Sequence, residues 1–323
     1  MGMPVLAEIA VDVERAVAGR RTRGEPGGQE VRPIAQGDGW RVADVVCTCG
    51  PQDRPYVEQH DLVALAIVTS GTFQYRGSES NGREMMTPGS VLLGSPGQSF
   101  ECGHEHGPGD RCLSFQFTSD YFGAVTGCEA HRVFRALRLP LVRTLSPLIV
   151  EACAALAGSS SRSSAGPAAS SSPMRDSAWE GLGVRLASRA ARLDAGVEPD
   201  RRAISPAAIA RVTHTVRLIE AEPAAELTLM RLARAARLSP FHYLRTFERV
   251  TGTTPHQYLV RSRLRAAATR LVLEQAHILD VALDAGFGDV SNFNRAFRAE
   301  FGVSPGGFRR RRSGPRIGPV SSR

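Results

Sequence analysis

Large apolar residues in the last third of the chain recur at helical spacing in two stretches that copy one another. Tyr243, Phe247 and Val250 form an i, i+4, i+7 stripe, and Phe293, Phe297 and Phe301 form its counterpart. The copies are residues 239–258 (SPFHYLRTFERVTGTTPHQY) and, fifty positions on, 289–308 (DVSNFNRAFRAEFGVSPGGF), so that Arg245 aligns with Arg295, Gly252 with Gly302 and Pro255 with Pro305. Ser239 and Asp289 carry side chains that accept hydrogen bonds from the first unpaired amides of a helix, which predicts a helix start at each. Gly252 and Gly302 predict the ends. Shorter apolar runs precede both copies. TLMRLARAA (228–236) and ILDVALDA (278–285) put Leu229, Leu232, Ala233 and Ala236, then Val281, Ala282 and Ala285, on one side, with alanines that let two helices cross closely. Gly286 can adopt the positive φ that a turn after such a helix requires, whereas Arg237 stands at the matching place of the first copy, which predicts a strained or differently shaped turn. Residues 255–273 read as one connecting helix, about 28 Å long at 1.5 Å per residue.

Each of the two longer helices leaves its other face for a partner. Phe241, His242, Arg245 and Arg249 stand on the first, and Val290, Ser291, Asn294, Arg295 and Arg298 on the second, a mixture suited to base edges and phosphates. Helices held at the ends of the connector are spaced to enter successive major grooves on one face of B-DNA, which recur about every 34 Å.

Residues 207–312 resemble the DNA-binding domain of AraC/XylS-type transcription regulators, through LARAARLSPFHYLRTFERVTGTTPHQYLVRSRLRAA and VALDAGFGDVSNFNRAFRAEFGVSPGGFRR. The resemblance implies that Arg245 and Arg295 contact bases or backbone, and that Phe241, Val290, Ser291, Asn292 and Asn294 occupy further contact positions. Leu244, Val290 and Ser291 replace longer polar residues of some relatives, so base specificity does not transfer.

From residue 34 to 122 the texture changes to short apolar runs broken by glycine and proline, with turn signals about every ten residues. This predicts an antiparallel barrel or sandwich, with MMTPGSVLL as strand, Pro-Gly turn and strand. The layout resembles the cupin-like sensory domain that often precedes this DNA-binding domain, and the resemblance implies effector binding or dimer contacts there. Residues 132–156 and 176–193 have helical periodicity. The expected fold is therefore α+β. A loose extension over 1–30 leads into a cupin-like β-barrel domain with flanking helices over 31–195, including a serine-rich loop at 158–173. A linker over 196–206 then joins an all-α domain over 207–312, made of two helix-turn-helix units joined by a linker helix, and 313–323 form a tail.

Charge agrees with this division. All 40 basic residues are arginine, and the chain carries net +8. Residues 205–323 hold 19 arginines against 9 acids, +10, which leaves −2 for the rest. A length of 323 residues suits two domains, each burying its own core. No apolar run approaches the roughly 20 residues that span a bilayer. Acids at Glu8, Asp12 and Glu14 replace a secretory signal, and a cytoplasmic location is expected. Walker, G-x-S-x-G, H-E-x-x-H and dinucleotide signatures are all missing, so no enzyme is expected.

One cluster carries chemistry: Cys47 and Cys49, then Cys102, His104, His106 and Cys112, with Asp110 nearby. On a continuing strand Cys102, His104 and His106 would share a side, and thiolate with imidazole suits zinc or another transition metal. The plainer reading makes the cysteines small buried hydrophobes, because the spacing matches no standard zinc ribbon or finger. Cys102, His104, His106 and Cys112 are thus candidate ligands, while no metal or cofactor is assigned, and all six cysteines are expected as thiols. The expected function is sequence-specific transcription regulation, as an activator controlled by a small effector. Promoter or operator DNA, RNA polymerase and a second copy of the chain are its expected partners. A metal- or redox-responsive regulator and a cupin metalloenzyme fused to a DNA reader remain open.

Overall fold

Strands with one face covered alternate in burial, and strands covered on both faces do not; both kinds occur between residues 29 and 117. The structure, a computed structural model, describes residues 5–77, 83–128, 134–160, 173–196 and 204–312. A helix, α1 (Val5–Arg23), precedes β1 (Gln29–Gly37), β2 (Trp40–Cys47), β3 (Tyr56–Gln59), β4 (Val63–Gly71) and β5 (Phe73–Gly77). Then follow β6 (Arg83–Met86), β7 (Val91–Gly94), β8 (Ser99–Gly103), β9 (Asp110–Phe117), α2 (Ser119–Thr126) and β10 (Arg138–Leu139). The strands form two antiparallel sheets, ordered β1-β2-β9-β4-β7-β10 and β3-β8-β5-β6. They face one another: Val68, Leu92 and Cys112 of the first pack in one cluster with Phe73, Tyr75 and Phe100 of the second. The Pro-Gly turn in MMTPGSVLL carries the chain from one sheet to the other, β6 to β7, instead of closing a hairpin.

Two expectations for this half are corrected. Within the expected loose extension over 1–30, the described residues form the helix α1, which is anchored at three points. Val13 and Val17 are buried, Arg20 pairs with Asp53 at 2.8 Å, and Asp12 reaches Arg111 at 3.2 Å, a guanidinium already held by Asp44. Residues 132–156 are not one helix: β10 and Pro140, which has no amide to donate, interrupt it, and α3 runs only over Ser146–Ser160. The next helix, α4 (Pro173–Ala195), covers the predicted 176–193. Most of the serine-rich loop, much of the linker and the tail lie outside the described residues.

Every described element of the C-terminal half is a helix. It comprises α5 (Pro206–Ala221), α6 (Leu229–Ala235), α7 (Pro240–Thr251), α8 (Pro255–Leu273), α9 (Ile278–Asp284), α10 (Val290–Phe301) and α11 (Pro305–Arg312). α8 has the bounds its sequence predicts, opened by a capping box between Thr254 and Gln257. Each repeat has an aromatic core: Tyr243, Phe247 and Tyr258 in the first, Phe293, Phe297 and Phe308 in the second. Ala233 and Ala282 are buried on the short helices and Ala236 and Ala285 at their C-caps, whereas Leu229, expected on the same side, is exposed.

The two halves do not have separate cores. Phe115 of β9, Ile149 of α3 and Trp179 of α4 belong to the same buried cluster as Val212 of α5, Phe247 of α7 and Tyr258 of α8. Polar contacts cross the same boundary. Arg138 donates to the carbonyls of Thr251 and Val250, Arg261 to that of Leu141, and Arg217 to that of Pro108. The second repeat has its own cluster, which Val150 of α3 joins.

Candidate nucleic-acid interface

α7 and α10 begin the way their sequences require. The Ser239 hydroxyl accepts from the His242 amide at 3.4 Å, and the Asp289 carboxylate from the Asn292 amide at 2.7 Å. Both end on glycine in the left-handed region, Gly252 at φ 76° and Gly302 at φ 74°. Burial of Tyr243, Phe247 and Val250 on α7, and of Phe293 and Phe297 on α10, fixes which side each helix turns outward.

The outward sides carry the predicted residues. Phe241, His242, Arg245 and Arg249 are exposed on α7, and Ser291, Asn292, Asn294, Arg295 and Arg298 on α10; Val290 is half-buried. Phe241 is 69% exposed, a large apolar ring in water, and the Arg245 guanidinium lies 5.7 Å from its centre. On α10 Arg295 approaches the side-chain Oδ1 of Asn292 at 3.5 Å, a long contact that leaves most of its donors outward. The acid at the end of α10 is turned away, since Glu300 accepts from Ser146 and pairs with Arg261 at 3.5 Å. Arginine forks and amides on these outward sides offer bidentate donors to guanine and adenine edges and cations to phosphate.

Sequence reasoning missed one part of this surface. A cleft of about 570 Å³ runs along α7, lined by His242, Arg245, Thr246 and Arg249 on one side and by Ile204, Ser205 and Ala208 at the start of α5 on the other. No periodicity links residues so far apart in the chain. Net charge also overstated the surface. Arg263 donates to the Pro223 and Ala225 carbonyls, Arg265 to Glu220, Arg270 to Glu274 and Asp284, and Arg309 to the Ala276 carbonyl. Much of the arginine content therefore holds helices together.

The turn before each of these helices is built alike. Arg237 has φ 54° and Gly286 φ 83°, and Arg237 is the one non-glycine with positive φ among the described residues. The sequence left strain or a different shape open, and the structure has the strained form of the same turn. The second turn holds one more residue, Gly288, before its helix cap.

Of the candidate metal ligands, the structure separates some and regroups others. β8 ends at Gly103, so His104 and His106 do not continue its alternation. His106 turns toward Glu105, 3.9 Å away. Cys102 is buried at the core between the sheets, and Cys112 donates to Asp110. His104 instead lies with Cys47 and Cys49.

Two short helices packed against two outward-facing ones, repeated about a connecting helix, define a tandem helix-turn-helix DNA-binding domain. A family model described as a helix-turn-helix domain matches residues 232–311, and this domain is of the AraC type. The chain is 42% identical over 89 residues to the transcriptional activator NphR of Rhodococcus sp, covering 27% of this chain and 25% of that protein. It is 30% identical over 100 residues to the HTH-type transcriptional regulator MtrA of Neisseria gonorrhoeae, covering 31% and 33%. Among solved structures, a transcriptional regulator of Chromobacterium violaceum with an AraC-type DNA-binding domain is 28% identical, covering 32% of this chain and 94% of that one, with a TM-score of 0.31. The matches to NphR and MtrA span about a quarter to a third of those proteins' lengths.

Proposed function

We propose that the chain is a sequence-specific transcription regulator that presents α7 and α10 to successive major grooves of duplex DNA. The observation that carries the reading is the repetition of one geometry: two capped helices of 12 residues, each with an aromatic side buried and an arginine at the same position, Arg245 and Arg295, turned outward. Their neighbours differ, Phe241 and His242 against Ser291 and Asn294, so the two helices read different half-site sequences.

The finer reading is an activator, as NphR is named, with a small effector bound by the N-terminal half, RNA polymerase as the partner at the promoter and a second copy of the chain on the DNA. One observation favours effector control through α5. A pocket lined by Thr72, Phe73, Met85 and His106 of the β-sheet half and by Thr213 of α5 admits only about 10 Å³, room for about one water. Thr213 sets α5, the first helix of the C-terminal half, in the wall of that pocket, so a ligand there would touch both halves.

The test is selection of binding sites from random duplex DNA with the full chain, followed by footprinting. Two protected segments about one helical turn apart are expected. Arg295→Ala should weaken specific binding by about 1–3 kcal/mol if it reads a guanine. No enriched sequence, together with equal affinity for random DNA, would sink the proposal.

A further inference from the structure

Three side chains of ligand type converge in the β-sheet half. Cys47 closes β2, Cys49 follows it by two residues, and His104 leaves the end of β8. One ligand atom of each, two sulfurs and a ring nitrogen, lie within 4.8 Å of one another. All three residues are buried, at 1%, 6% and 4% exposure. The backbone fixes their relation: Cys47 is the register partner of Asp110 across β2 and β9, and the Gly109 amide donates to the Cys49 carbonyl at 2.8 Å.

The histidine identifies the kind of site. Its Nε2 is bonded to Asp110 Oδ1 at 2.6 Å, while its Nδ1 is buried without a hydrogen-bond partner. An unsatisfied buried polar atom costs about 1–3 kcal/mol. An imidazole anchored through one nitrogen by a carboxylate and free at the other is how metal-ligating histidines are oriented. The sulfurs suit the same role, because a divalent cation binds cysteine as the thiolate and stabilises that form where it coordinates.

We propose that Cys47 Sγ, Cys49 Sγ and His104 Nδ1 form a transition-metal site that takes Zn²⁺ or another thiolate-binding divalent ion, with a fourth position left to water or an exogenous ligand. Two thiolates and a neutral imidazole neutralise a divalent cation. Tetrahedral zinc, at about 2.3 Å from sulfur and about 2.0 Å from nitrogen, needs its ligand atoms less than about 4 Å apart, within reach of this cluster. Asp110 is a positioning residue acting through His104.

The full chain, purified under reducing conditions and stripped with chelator, is titrated with Co²⁺. One equivalent per chain should bind, with a sulfur-to-cobalt charge-transfer band. Cys49→Ser should abolish that band or weaken binding by more than about tenfold, and Asp110→Asn should weaken it by about 10–100-fold. Cys128→Ser should leave it unchanged. Because a buried variant can misfold, the wild-type chain gives a second readout: Co²⁺ should protect Cys47 and Cys49 from alkylation, mapped by mass spectrometry. The proposal is overturned if the reduced wild-type chain shows no such band, if Cys49→Ser keeps the band at wild-type affinity, or if thiols that alkylate in the stripped chain alkylate as fast with Co²⁺ present. A Cys47–Cys49 disulfide whose reduction restores no metal binding would assign the pair to redox chemistry instead.

Discussion

Exchanging the residue at the left-handed position of each turn should move stability in opposite directions in the two repeats. Arg237 is held at φ 54°, a conformation that costs a residue with a Cβ about 1–2 kcal/mol. Arg237→Gly removes that cost but gives back about 0.5–1 kcal/mol through the freer unfolded chain, so a net gain of about 0.5–1 kcal/mol is expected. Gly286 at φ 83° is in the reverse situation, and it is also crowded. A Cβ there would stand 2.7 Å from Ala224 Cα and 2.8 Å from the Ala224 carbonyl oxygen, both backbone atoms that cannot rotate aside. Strain and overpacking together set the cost of Gly286→Ala at about 3 kcal/mol. Urea unfolding of the full chain, followed by circular dichroism, measures both as shifts of midpoint at constant slope. A destabilised Arg237→Gly variant, or Gly286→Ala within about 0.5 kcal/mol of wild type, would refute the account of the turns.

Ser239→Ala and Asp289→Ala each remove a helix cap and should cost about 1 kcal/mol in the same assay. Glu220→Ala leaves the buried Arg265 guanidinium without the carboxylate it binds at 2.7 Å, with an expected loss of about 3–5 kcal/mol. Arg265→Met combined with Glu220→Leu should recover most of it, and a double variant as unstable as the single would contradict the reading. His60, bonded to the Tyr75 hydroxyl at 2.7 Å and stacked on Phe100, is held by burial at about 4 against its usual 6.5, with Asp61 opposing. The folded state therefore favours neutral His60. Its contribution is complete above about pH 6.5 and is lost as pH falls toward about 4. A stability–pH profile should show that slope, and His60→Gln should flatten it.

The DNA-binding half was legible because its signals are local. Cap, aromatic stripe and glycine stop lie within one repeat, and α8 keeps its predicted bounds. What depended on distant partners was not legible. α1 looks patternless because its anchors, Asp53 and Arg111, lie 33 and 99 positions from Arg20 and Asp12. Residues 132–156 look helical until Pro140 is weighed against their spacing. The thiol and imidazole cluster was visible as composition, but its grouping depends on β8 stopping at Gly103, where the assumed alternation fails. Strand order was unreadable for the same reason, since β9 pairs with β2 and β4 from far along the chain.

The shared core bears on how such chains can be recombined. A cut at residue 204, followed by transplantation onto a foreign sensor, would strip Tyr258 and Arg265 of the Pro88 carbonyl and Thr251 of Arg138. A graft would succeed only where the host supplied a matching loop and guanidinium. The second repeat takes only Val150 of the preceding half into its buried cluster, so it is the more portable, and exchange of α9 to α11 should succeed where the incoming helices fit Leu264, Ala268 and Leu271 of α8.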